Sequence, residues 1–256
     1  MKLNYKHFPG NGPSVLIIHG VFGSLDNLAT ASKGIADAGF DVYTLDQRNH
    51  GRSPHDDRFD YESMAADLYE FIQDHQLQKP ALVGHSMGGK TVMQYAMEYP
   101  GTFSKIVVVD IGVKWYPPHH ESILNGLNAL PVHEIESRQQ ADELFSAYEP
   151  IPAVRLFLLK NLYRTETDGF AWRLNLPVIT AQIENVGAAI EPRRTVEEPA
   201  LFVKGATSGY IKDQDWDEIQ QSFPAAQLVT IPKAGHWVHA EQPKAFVQEV
   251  LAFLNS

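Results

Sequence analysis

Six short apolar runs recur along the chain, at 14–18, 42–45, 80–83, 105–109, 200–203 and 227–231, and most neighbours are separated by a segment of helical length. Runs of four or five apolar residues closed by a polar residue or glycine have the form of strands buried on both faces. The intervening helical patterns cover about 26–37, 63–75, 88–99, 215–222 and 243–254, the third stopped by Pro100. Strand and helix in alternation require right-handed crossovers, so the pattern predicts an α/β fold with a mostly parallel sheet and helices on both faces.

The rhythm breaks once. Residues 111–196 carry helical patterns at 121–130, 137–148 and 152–162 and a turn at Thr167-Asp168-Gly169, with no strand signal among them. The prediction is a core of residues 1–110 and 197–256, and a mainly helical cap of residues 111–196 inserted after the strand that ends at Asp110. The cap would then cover the carboxyl ends of the strands, where open α/β sheets bind ligands.

Composition narrows the function. A chain of 256 residues, 44% of them hydrophobic, can bury a full core without covalent staples. The absence of cysteine removes disulfides, thiolate metal sites and a cysteine nucleophile together. A net charge of −10 argues against nucleic acid or an anionic membrane surface as partner. No signal-like N-terminal run and no stretch of 18 apolar residues is present, so the expectation is a cytoplasmic protein with no membrane insertion. Nothing in the sequence speaks to oligomeric state.

Gly84 and Gly88 flank Ser86 in GHSMGGK, the G-x-S-x-G spacing of a nucleophile elbow. The spacing is common by chance in a chain with 18 glycines; here, however, a strand pattern precedes it and a helical pattern follows. Helix-start amides, Met87 among them, would then face an oxyanion formed at Ser86. A serine needs a base. His236 follows the last core strand, in the late position expected for the histidine of this elbow, whereas His85 should face away and pack, and His119-His120 read as solvated cap residues. The turn 204–210 after the fifth run contains no carboxylate, so the acid is expected at Asp110, on the strand beside the nucleophile, with Asp213 as the second candidate.

The loop His19-Gly20-Val21-Phe22-Gly23 should supply the second oxyanion donor, Val21 in preference to Phe22. The chemically rich stretch Asp46 to Ser53 reads as loop scaffold. Phe22, Trp115, Tyr116 and Trp237 are the expected substrate-binding residues. Phe157, Leu158, Phe170 and Trp172 add apolar material in the cap, and Arg155, Lys160, Arg164 and Arg173 read mainly as its solvated surface.

HGVFGSLDN at 19–27, DQRNHGRSP at 46–54, GHSMGGK at 84–90, DI at 110–111 and GHWVHAE at 235–241 together resemble the α/β-hydrolase superfamily, and within it the small bacterial esterases of the YbfF type. The resemblance implies hydrolysis of a small-molecule carboxylic ester or acyl thioester, with no cofactor and no metal, and it too places the acid at Asp110. A serine rather than an aspartate at the elbow argues for acyl transfer. Carbon–carbon bond hydrolysis or perhydrolysis on the same triad, and a non-catalytic ligand receptor of the same fold, are the alternatives.

Overall fold

Strand and helix alternate through residue 109 in the computed structural model, which describes residues 1–166 and 169–256. The order is β1 (Tyr5–Phe8), β2 (Ser14–Ile18), α1 (Ala29–Asp37), β3 (Asp41–Leu45), α2 (Tyr61–Asp74), β4 (Ala81–His85), α3 (Met87–Glu98) and β5 (Ile106–Val109). An insertion follows with α4 (Glu121–Ala129), α5 (Arg138–Phe145), α6 (Pro152–Leu159), a hairpin of β6 (Leu162–Arg164) and β7 (Phe170–Trp172), and α7 (Leu176–Ala181). The alternation then resumes with β8 (Ala200–Gly205), α8 (Trp216–Ser222), β9 (Ala226–Ile231), the short α9 (Val238–Glu241) and α10 (Pro243–Leu254).

The seven-stranded sheet has the order β1-β3-β2-β4-β5-β8-β9, and every pairing is parallel except that of β1 with β3. Alternation within each strand decides the layering. Leu16, Ile18, Leu82, Val108 and Phe202 pack on one face with Met64, Leu68, Val92 and Ala96 of α2 and α3. Val15, Ile17, Val83, Val107, Val109 and Val203 pack on the other with Ile35 of α1 and Phe246, Val250 and Phe253 of α10. At about 1.5–3 kcal/mol for each fully buried aliphatic or aromatic side chain, these two layers supply most of the driving force.

β1 is the strand the sequence did not announce. Its side chains are exposed or half-buried, and it adds antiparallel to the edge of the sheet, so YKHF lacks the apolar run of a central strand. The hairpin was missed for a related reason. The helix expected over 152–162 stops at Leu159, where the Arg138 guanidinium donates to the carbonyls of Leu159 and Leu162, and three-residue strands carry too little periodicity to read. Of the turn expected at 167–169, Thr167 and Asp168 lie outside the described residues; the amide of Thr165 donates to the Gly169 carbonyl at 2.8 Å.

The insertion leaves and rejoins the core through a narrow neck. Its two limbs bond to each other, Tyr116 N–H to the Gly187 carbonyl and Ile190 N–H to the Val113 carbonyl, both at 2.8 Å. Beneath them the fully buried Lys90 of α3 donates to the carbonyls of Lys114, at 2.7 Å, and Ala188, one on each limb. Burial pushes this ammonium down to about 7. The insertion also bonds to the loops after β2 and β3, through Asn161 to the Phe22 carbonyl at 2.7 Å and Asn175 N–H to the Asn49 carbonyl at 2.9 Å. It therefore lies over the carboxyl end of the sheet. No helix among the described residues is long and apolar enough to cross a membrane.

Candidate active site

Three adjacent strands, β2, β4 and β5, end in a residue or loop with strained backbone. Phe22, Ser86 and Asp110 have φ of 58°, 53° and 54°, a region that costs a residue with a Cβ about 1–3 kcal/mol. Such strain persists only where the surroundings enforce it. At Ser86 they do. A Cβ on Gly84 would lie 2.1 Å from the Gly88 carbonyl oxygen, and one on Gly88 would lie 2.5 Å from that of Ile18, so only glycine lets strand, turn and helix close this tightly. The Ser86 amide bonds to the Val109 carbonyl at 2.9 Å, and α3 begins at the next residue.

The register places Asp110 beside Ser86. His85 pairs with Val109 and Val109 with Val203, so Ser86 and Asp110 leave neighbouring strands at the same level. Asp110 is fully buried and accepts from three donors: Gly205 N–H on Oδ1 at 3.0 Å, and the Ser208 hydroxyl and His236 Nδ1 on Oδ2, the imidazole at 2.8 Å. The turn without a carboxylate thus contributes a hydroxyl and an amide to an acid held on another strand. Asp213 is far from this arrangement in character. Its side chain is fully exposed and meets Lys204 at 3.3 Å.

His236 is also held through its backbone. Its carbonyl accepts from His85 Nε2 at 2.8 Å, and the two rings lie 4.8 Å apart, which brings the imidazole to the residue preceding Ser86. Burial holds His85 well below the ordinary histidine range and His239 at about 4, so both are neutral packing partners. His119 is exposed, but His120 is half-buried against the Phe22 ring and pushed down by burial to about 4.

The loop after β2 meets the nucleophile directly. A Cβ on Gly20 would sit 3.2 Å from that of Ser86, so the peptide leading into Val21 lies against the elbow. The Phe22 amide donates to His50 Nε2 at 3.1 Å, and the Phe22 carbonyl accepts from Asn161 of the insertion. His50 is driven by burial to about 3, so it stays neutral and able to accept. Asp46 ties the same loops, accepting from Asn4 Nδ2 at 2.7 Å, Leu25 N–H at 2.8 Å and Arg52 N–H at 2.9 Å, while Arg48 pairs with Asp67.

A cleft of about 1360 Å³ opens between these loops and the insertion, lined among others by Leu25, Leu156, Phe157, Tyr163 and Trp237. Trp237 links it to His236, whose ring centroid is 6.4 Å away. The other aromatic residues singled out in the sequence lie apart from it. Phe22 is buried, Tyr116 spans Gly112 N–H and the Tyr210 carbonyl with its hydroxyl, and Trp115 is 58% exposed. Ser208 and Tyr210 were not singled out at all. Only the absence of an acid in their turn pointed there.

A parallel sheet, a serine elbow under enforced strain and an acid–imidazole pair at the next strand end define an α/β-hydrolase architecture. The model of the alpha/beta hydrolase fold family matches residues 13–147, and the chain belongs to that family. It is similar to esterase YbfF of Escherichia coli K12, 35% identical over all of both chains. It is similar as well to the mouse (Mus musculus) sn-1-specific diacylglycerol lipase ABHD11, 36% identical over 99% of this chain and 85% of that one. Among solved structures, a marine microorganism esterase superposes with a TM-score of 0.96 at 40% identity, covering 98% of this chain and 99% of the other. The protein is an enzyme of the carboxylesterase type.

Proposed function

We propose that the enzyme cleaves carboxylic esters or acyl thioesters through an acyl-enzyme on Ser86, with His236 as base and Asp110 as the acid that orients it. Ser86 Oγ attacks the carbonyl carbon as His236 Nε2 takes its proton. Asp110 Oδ2 holds the Nδ1–H and so keeps the imidazole in the tautomer that presents a lone pair to the serine. The amides of Met87 and Val21 receive the oxyanion; Val21 is preferred because the Phe22 amide is already bonded to His50. The imidazolium then protonates the leaving alcohol or thiol, and water deprotonated by His236 releases the acid.

The observation that carries this reading is the 2.8 Å bond from His236 Nδ1 to a buried Asp110 on the strand beside the Ser86 elbow. Residues 111–196 act as the cap of a core made by 1–110 and 197–256, and the flexible part of the substrate lies in the cleft beside Trp237 and Phe157. The lipase among the relatives supports including glyceride esters in the substrate panel.

A pre-steady-state assay with an activated ester tests the reading. A burst of one leaving group per active chain and a single acyl adduct on Ser86 are expected, with both absent in Ser86→Ala. Wild-type turnover by Ser86→Ala would end it.

A further inference from the structure

The face of His236 is covered by an aromatic ring that none of the steps above uses. Tyr210 stacks on the imidazole with centroids 4.1 Å apart and planes 22° from parallel. Three separate contacts, one through the ring hydroxyl and two through the backbone, fix that residue. Its hydroxyl is hydrogen-bonded to Nε2 of His119, on the insertion, at 2.7 Å; its carbonyl accepts from the Tyr116 hydroxyl at 2.7 Å; and its amide donates to the Ser208 hydroxyl oxygen at 3.3 Å. Ser208 is the same residue whose hydroxyl donates to Asp110. Tyr210 is thus tied both to the entry limb of the insertion, through Tyr116 and His119, and to the support of the acid, through Ser208.

We infer that Tyr210 is a positioning residue for the base, whose ring holds the imidazole plane and stabilises the imidazolium formed when Ser86 loses its proton. The inference rests on His236 being the base. An aromatic face within about 6 Å of a cation attracts it through the ring quadrupole, and the neutral imidazole that accepts the proton lacks that term. The preference therefore appears in the transition state, where it lowers the barrier.

The other groups facing the imidazole do not supply the same effect. Asp110 approaches in the ring plane at Nδ1, from the end of β5. His85 from β4, His239 from α9 and His120 from the insertion are the remaining titratable neighbours, and burial keeps all three neutral near pH 7. Trp237 lies at 6.4 Å and 52°, too far and too tilted to stack. Burial raises the Tyr210 phenol to about 12, so the ring stays neutral throughout the working range.

The test measures kcat, KM and the pH profile of kcat/KM for Tyr210→Leu and Tyr210→Phe in the full chain, with His236→Ala as control and an activated acyl ester as substrate. Tyr210→Leu should lower kcat about fivefold with KM within about twofold, and the acid limb should move about half a pH unit lower. The sign follows from the stack: it favours the protonated ring, so its loss lets the ring stay neutral to lower pH. Tyr210→Phe keeps the stack and should keep both kcat, within about twofold, and the limb. Should Tyr210→Leu melt before it can be assayed, Tyr210→Met carries the same expectation.

A loss in Tyr210→Leu that is uniform across pH, or wild-type values throughout, overturns the inference while an inactive His236→Ala leaves the catalytic assignment standing. Turnover retained by His236→Ala would instead remove the base itself.

Discussion

Replacing Asp110 by asparagine exchanges one carboxylate oxygen for an NH₂ in a pocket where every neighbour donates. With the amide nitrogen at the Oδ2 position it would face the Ser208 hydroxyl and His236 Nδ1–H; turned the other way, it would face Gly205 N–H. The hydroxyl can rotate and accept. The imidazole can escape only by moving its proton to Nε2, after which Nδ1 accepts from the amide and Nε2 is no longer a base. The corresponding change in serine proteases lowers turnover about 10⁴-fold, a barrier increase of about 5 kcal/mol. The fold should lose less, about 1–3 kcal/mol for one poorly paired buried group. Steady-state kcat on an activated ester and denaturant midpoints on the same preparations separate the two effects. Asp213→Asn is the matched control, and its exposed ion pair should change turnover by less than about twofold. A crippled Asp213→Asn beside an Asp110→Asn that retains more than about a tenth of wild-type turnover would refute the assignment of the acid.

Two further perturbations test the framework around the site. Gly84→Ala places a methyl 2.1 Å from the Gly88 oxygen, so the elbow must open; turnover should be lost and stability should fall by about 3 kcal/mol, and a variant normal in both assays would show that the turn is not tight. Acidification should destabilise the fold from the histidine range downward. His50 at about 3, and His120 and His239 at about 4, are depressed by burial, so their contribution is complete above the ordinary histidine value near 6.5 and is lost as the unfolded chain takes up protons below it. Around pH 5 the three together give a slope of about 4 kcal/mol per pH unit, and a Tm unchanged from pH 6.5 to 4.5 would contradict that.

Legibility in the sequence followed burial and locality. The central parallel strands β2, β4, β5 and β8 were readable because burial on both faces demands uninterrupted apolar runs such as IVVV, whereas β1, with one wet face at the sheet edge, and the three-residue strands of the hairpin demand nothing comparable. Ser86 was readable because its strain needs glycine at two fixed offsets, a constraint written within five residues. Asp110 could be reached by its place at a strand end, together with the lack of a carboxylate in the turn 204–210. What filled that turn's role was not readable. Ser208 and Tyr210 act through partners about 100 and 26 residues away, Asp110 and His236, and their residue types are ordinary in a loop. His120 misled for the same reason: a histidine pair among prolines looks exposed until the ring of Phe22 is brought against one of the two.

The neck at Lys90 has a consequence for how this chain can change. Because Tyr116 bonds to Gly187 and Val113 to Ile190, the insertion is a loop whose ends are already joined. Closing such a loop costs an entropy that grows only with the logarithm of its length, about 0.6 kcal/mol for each doubling. Length can therefore be added or removed between the two limbs at little entropic cost, provided the joint, the ammonium beneath it and the bonds of the insertion to the loops after β2 and β3 remain. What limits such change is packing rather than connection, because side chains of the insertion such as Leu124, Leu127 and Phe145 share one apolar core with Ile18, Leu82 and Val108 of the sheet.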